Sequence, residues 1–134
     1  MSAPGNRPDD PREWLRRAHS SLQHARALDP QVFFEELCFD AHQAAEKALK
    51  AVMLQRGVPF PYIHDLDRLV QLLENAGHAV PEDVRLAGDL TRYAVRARYP
   101  GLSGEVGETE YQDALSLAET VVKWAEVIIL RSPA

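Results

Sequence analysis

The sequence predicts an all-α fold, an antiparallel up-and-down four-helix bundle with one additional short helix carried in a crossover, and three observations support it. Apolar residues recur at steps of three and four through most of the chain, as they do on helices that bury one stripe. Pairs that start helices, Asp10-Pro11, Asp29-Pro30 and Pro81-Glu82, are spaced by stretches of helical length and by glycine stops. No stretch alternates polar and apolar residues as a half-buried strand would.

Residues 1–10 hold Pro4, Gly5 and Pro8 and almost nothing to bury, which reads as a flexible tail. Asp10 caps the first helix, Pro11 suits its first turn, and Glu13 stands where a capping partner belongs. Leu15, Ala18, Leu22 and Ala25 form the seam of this helix, with Trp14 and Leu28 beside it. Arg12, Arg16, Arg17 and Arg26 occupy the other face. Asp29-Pro30 then launches the central helix, expected over roughly Gln31 to Arg56, with Gly57 as its left-handed stop. Its stripe of Phe34, Leu37, Cys38, Ala41, Ala45, Ala48, Leu49 and Val52 is flanked by Phe33, Ala44 and Ala51 on one side. Phe39, His42 and Met53 flank the other. A helix apolar around so much of its circumference touches several neighbours, and Phe39, His42 and Met53 are the candidates for a second, subunit-facing surface.

The prolines of Val58-Pro59-Phe60-Pro61-Tyr62 exclude a helix and give an extended aromatic connector. A short helix begins near His64 or Asp65, buries Leu66, Leu69, Val70 and Leu73, and ends before Gly77. Pro81, Glu82 and Asp83 open the next, whose inner stripe is Val84, Ala87, Leu90, Ala94 and Ala97 and which ends at Tyr99-Pro100. Gly101, Ser103, Gly104 and Gly107 describe a mobile loop. A capping box of Thr109 and Gln112 starts the last helix, which buries Ala114, Leu115, Ala118, Val121, Val122, Ala125, Ile128 and Ile129.

At 134 residues, 46% hydrophobic and 26% charged, the chain has room for one domain with a real core. No apolar run approaches the eighteen or so residues of a membrane span, and the N-terminus lacks a secretory signal's apolar core, so a cytoplasmic protein without membrane contact is expected. The lone Cys38 lies on the apolar stripe and reads as a buried hydrophobe. A net charge of −5 argues against a sequence-independent nucleic-acid binder, so any anion site is local.

Metal chemistry finds little support. The Glu-x-x-His pairs that aim ligands into helical bundles are missing, and the five histidines are scattered, so no metal or cofactor is expected. Gly101, Gly104 and Gly107 lack the lysine and hydroxyl residue of a phosphate loop. Two clusters remain. His42, Glu46 and Lys50 lie four apart on one face of the central helix with Lys47 nearby, and either form a solvated Glu-Lys pair or are covered by a partner. Arg85, Arg92, Arg96 and Arg98 crowd the third long helix; Asp89 can serve Arg85 and Arg92, whereas Arg96 and Arg98 have no acidic residue within a helical turn and sit beside Tyr99, as phosphate-binding arginines do.

Ala41-His42-Gln43-Ala44-Ala45-Glu46-Lys47-Ala48-Leu49-Lys50, then His64-Asp65-Leu66 after the proline-bearing connector, then Arg98-Tyr99-Pro100 resemble the HEPN domain in residues, order and spacing. The resemblance runs from about Trp14 to Ile129, within a domain taken as residues 11–131. It implies a compact helical bundle that usually forms a homodimer, found in prokaryotes beside minimal nucleotidyltransferases in toxin–antitoxin-like pairs and binding nucleotide or RNA. Many such proteins are metal-independent ribonucleases that use an arginine and a histidine separated by four to six residues near the last long helix. This chain departs from that pattern. No histidine follows Arg98, the last being His78, while Arg12 with His19 and Arg17 with His24 sit on the first helix.

The preferred expectation is a non-catalytic or weakly active HEPN partner that binds a nucleotide, RNA or a nucleotidyltransferase. The alternative is a divergent ribonuclease with His64 as acid–base group and Arg98 as phosphate holder. Both place His64, Asp65, Arg98 and Tyr99 together, with Glu46, Lys47 and Lys50 on or near the same surface, on the premise that the connector and the third long helix meet at one end of the bundle. His64 capping the short helix is the structural reading of the same residue.

Overall fold

A computed structural model of the chain describes residues 9–96 and 106–131. Its helices are α1 (Pro11–Arg26), α2 (Phe34–Gln55), α3 (Leu66–Asn75), α4 (Glu82–Arg85), α5 (Arg92–Arg96) and α6 (Glu108–Arg131), with a 3-10 stretch, Leu86–Thr91, between α4 and α5. No strand occurs among the described residues. Most of the expected tail, the stretch from Ala97 through Arg98, Tyr99 and Pro100, and the loop residues Gly101, Ser103 and Gly104 lie outside the described residues.

The order of contacts fixes the direction of each helix. Phe34 at the start of α2 stacks on Tyr111 near the start of α6, and Val52 near the end of α2 lines the same cleft as Trp124 and Ile128 late in α6. These two helices therefore run side by side in the same direction. Arg26 pairs with Glu119, and His19 approaches Glu126, so α1 runs the opposite way. The segment from α4 to α5 also runs against α2: Val80 just before it lines the cleft with Val52, while Tyr93 in α5 donates to Glu110 at the start of α6. Four layers thus alternate down, up, down, up, with α3 in the crossover between the second and third.

Why each element starts and stops is mostly local. Asp10 accepts from the backbone N–H of Arg12 and Pro11 occupies the first turn of α1, which satisfies one of the orphan donors of a helix start. Gly57 and Gly77, at φ of +69° and +90°, end α2 and α3. Val58 donates back to the Met53 carbonyl and His78 to the Leu73 carbonyl, a closure that needs a left-handed residue between. Asp65 caps α3 by accepting from Arg68 N–H.

Several expected boundaries shift. Asp29 does not start α2: its carboxylate accepts from Gln31 N–H and its carbonyl from Val32 N–H, closing a turn, and the helix begins at Phe34 with no side-chain cap. The acidic Glu35 and Glu36 in its first turn compensate through the helix dipole. Thr109 lies inside α6 rather than capping it, since Tyr111 N–H already bonds the Gly107 carbonyl. Leu28 lies beyond α1 and is exposed. The third long helix is not continuous. At Gly88 the Asp67 carboxylate of α3 lies where a Cβ would stand, so α3 packs against bare backbone, and the helix tightens to 3-10 geometry around this poor helix former. Arg85 turns to Glu74 and Arg92 bonds the Asp89 carbonyl, so Asp89's carboxylate serves neither as the spacing suggested.

The core is one cluster centred on α2. Cys38, Ala41, Ala44, Ala45, Ala48, Leu49, Ala51, Val52 and Met53 are all buried there. The alanines let α1 and α6 come close to α2, which is why small residues dominate the stripe. His42 and Met53, expected on a second surface, are fully buried within this one chain. Connector and α3 fill the space assigned to another subunit. Tyr111 ties α6 to α1 by donating its hydroxyl to the Ala25 carbonyl at 2.6 Å. Replacing Tyr111 by phenylalanine strands that buried carbonyl at the end of α1, and chemical denaturation is expected to show a loss of about 1–3 kcal/mol.

Candidate functional site

Glu46 and Lys50 of the central helix do not face water. Glu46 and Lys50, one turn apart on α2, are both buried, and Lys50 Nζ donates to Glu46 Oε2 at 3.0 Å. What covers them is neither solvent nor a partner but the chain's own connector. Residues 58–65 leave the end of α2 and fold back along it, so that Phe60 packs edge-on against Trp14 of α1 at 5.8 Å between ring centroids. Lys50 Nζ lies over both rings, 5.8 Å from the Trp14 centroid and 5.4 Å from that of Phe60. Ring faces and carboxylate together replace the hydration the ammonium loses.

His64 ends this fold-back. Its Nδ1 lies 2.8 Å from Glu46 Oε1; a carboxylate only accepts, so Nδ1 carries the proton and donates. Its backbone carbonyl is 2.9 Å from His42 Nε2, and since a carbonyl only accepts, Nε2 carries the proton of His42. Two side chains of α2 therefore clamp His64 from both ends, one by the ring and one by the backbone. The ring stays 52% exposed, and its Nε2 has no hydrogen-bond partner among the described residues. An imidazole fixed in one tautomer by a buried carboxylate, with its other nitrogen free, suits proton transfer or, once protonated, donation to an anion.

His42 has a different character. It is fully buried, stacked near Phe39, and its Nδ1 has no hydrogen-bond partner among the described residues. Burial pushes its pKa below the ordinary value of 6.5, and the His64 carbonyl, Glu46 at 3.9 Å and the neighbouring Gln43 side chain offset only part of this. It is a positioning residue in neutral form.

The other expected site residues divide. Glu46, Lys50 and His64 come together as described. Lys47 turns away to Ser21 of α1, with its Nζ 2.7 Å from the hydroxyl, and partial burial lowers its pKa. Asp65 serves as the α3 cap, so the capping role considered for His64 belongs to its neighbour. Arg98 and Tyr99 lie outside the described residues. The premise behind their convergence changes as well. The segment from α4 to α5 starts at the end where α2 stops and runs away from it, while the connector brings His64 back to the level of Glu46. One bond ties the two: Leu66 N–H donates to Thr91 Oγ at 3.1 Å. Sequence reasoning placed His42 on the face of Glu46 and Lys50 by its i, i+4 spacing but left it out of the expected site, and nothing local identified Trp14.

Two outcomes follow for the clamp. Changing Glu46 to alanine leaves a buried ammonium uncompensated and should cost about 3–5 kcal/mol in urea unfolding, whereas replacing Glu46 and Lys50 together by apolar residues of similar volume should recover most of it. Because the unfolded chain holds the His42 proton more tightly than the folded one, stability is full above about pH 6.5 and is lost as pH falls below that value toward the lowered folded pKa. Thermal melts between pH 7 and pH 5 should show this acid loss, and His42→Gln should flatten it.

The family model described as HEPN domain matches residues 11–128. Among solved structures, TT1696 from Thermus thermophilus is similar at 32% identity and a TM-score of 0.77, over 88% of this chain and 97% of that one. ST0689, an archaeal HEPN homologue, shares the fold at 23% identity and a TM-score of 0.71, over 90% of this chain and 98% of that one. No curated protein matches. No described helix is long and apolar enough to cross a membrane. With the family match spanning nearly all of the bundle and the Glu46–His64 clamp built from two of its three sequence signatures, the chain belongs to the HEPN domain family.

Proposed function

We propose that this HEPN domain binds the phosphate of a nucleotide or of RNA on the surface around His64, as a partner in a toxin–antitoxin-like system rather than through the usual ribonuclease pair. The observation that carries the reading is the clamp: a half-exposed imidazole with Nδ1 held by buried Glu46 and Nε2 left open. Lys50 and Glu46 act from beneath by fixing the ring; Asp65 holds the start of α3; Lys47 borders the cluster on the α1 side. Arg98 and Tyr99 complete the site in this reading. They follow Thr91 by seven and eight residues, and Thr91 bonds the backbone two residues after His64.

A second reading rests on the same geometry. A carboxylate that orients an imidazole is the arrangement general acid–base catalysis uses, so His64 with Arg98 also fits a metal-independent endoribonuclease. Absence of any histidine after His78 keeps binding as the first reading. A second copy of the chain and a minimal nucleotidyltransferase are the proposed protein partners.

Titration of a labelled RNA or nucleotide tests the site. Either His64→Ala or Arg98→Ala should weaken binding roughly 10- to 150-fold, the worth of one hydrogen bond to a charged group, with circular dichroism unchanged. Full binding by both variants rejects the site, and metal-independent RNA cleavage that His64→Ala abolishes selects the second reading. Light scattering should give twice the 15.0 kDa chain mass; a monomer at micromolar concentration rejects the homodimer.

A further inference from the structure

Tyr62 is 99% exposed, more than any other large apolar side chain described. Its position is nevertheless determined. Ile63 N–H bonds the Pro61 carbonyl at 2.9 Å, which makes Tyr62 the middle residue of a γ-turn, of the inverse kind because no described non-glycine residue has a positive φ. On one side Pro61 restricts the backbone and Phe60 packs against the core; on the other Ile63 packs against it and His64 is clamped at ring and carbonyl. The ring is therefore presented to solvent from a turn anchored at both ends.

We infer that Tyr62 is the base-stacking platform of the His64 site, so that the ligand is single-stranded RNA, or a nucleotide, whose base lies on the Tyr62 ring while its phosphate meets His64. This rests on the proposed phosphate site. Two residues of chain span at most about 7 Å, so the Cα atoms from which the Tyr62 ring and the His64 imidazole project lie within the length of one nucleotide. A base has a π-face whatever its identity, and a tyrosine on an anchored backbone has only two side-chain torsions to fix on stacking. A protein hot spot fits less well, because such residues sit among other apolar groups that exclude water. The other exposed large apolar residues, Leu28, Val32, Phe33, Leu86, Val127 and Leu130, lie on other elements. Stacking also suits a chain of net charge −5, since it adds affinity without a basic groove.

The test measures binding of a short single-stranded RNA, and of the same sugar–phosphate chain without bases, to wild type, Tyr62→Ala, Tyr62→Trp and His64→Ala at fixed low salt. Tyr62→Ala should weaken RNA binding roughly 5- to 150-fold, as loss of one stacked base does, Tyr62→Trp should retain wild-type affinity, and the base-free chain should not distinguish these proteins. His64→Ala should weaken both ligands. If Tyr62→Ala binds RNA as wild type does, or weakens the base-free chain equally, the stacking role is wrong while the His64 site stands. If wild type binds neither ligand, or His64→Ala binds both as well as wild type, the phosphate site itself fails and the platform with it. Tyr62 packs against nothing, so the variants should keep the wild-type melting temperature, and a variant that unfolds overturns the claim that this ring serves only the ligand.

Discussion

Glu46 is a buried carboxylate, and its two oxygens are divided between an ammonium beneath the connector and an imidazole at the connector's end. Burying such a charge costs several kcal/mol unless every lone pair finds a donor. Lys50 and His64 supply the donors, and the constraint works in both directions. Glu46 needs the connector to fold back over it, and the connector, which makes no regular secondary structure of its own, needs Glu46 and His42 to hold it there. Trp14 and Phe60 close the arrangement by giving Lys50 two ring faces in place of water. Three separate segments, α1, α2 and residues 58–65, are thus joined through one side chain.

That joint also explains the chemistry on offer at the surface. An imidazole on a mobile loop samples both tautomers and many orientations; at the end of this connector it has one tautomer and one orientation, with its free nitrogen on the open side. The cost of ordering is met in folding rather than in binding, as preorganised sites require. Tyr62 benefits from the same anchoring, since the turn that exposes it is pinned by residues on either side.

The acidic balance of the chain and the burial of Lys50 separate this site from a basic groove. Its lysines are engaged inside the fold, Lys50 with Glu46 and Lys47 with Ser21, so affinity for an anion depends on a few oriented donors and not on a field of charge. His42 contributes by staying neutral: burial disfavours its imidazolium, and the nearby His64 disfavours it further.

Much of the fold was legible because its causes are local. The Asp10-Pro11 start, the Gly57 and Gly77 stops, the stripe of α2 and the burial of Cys38 each follow from a few neighbouring residues, and the all-helical family fold follows from them together with the three HEPN-like signatures. The boundaries that failed are those where a neighbour in space decides: Asp29 closes a turn, and Gly88 breaks the fourth helix where Asp67 presses against its backbone. In the site, sequence named Glu46, Lys50 and His64 but could not say whether the α2 face of Glu46 and Lys50 was wet, covered by a partner or covered from within. Only tertiary structure decided that, because the answer depends on the path of a proline-bearing connector whose direction is set by where Phe60 and His64 find partners on α1 and α2. Spacing along a helix tells which side chains share a face; what lies over that face is a property of the packed chain.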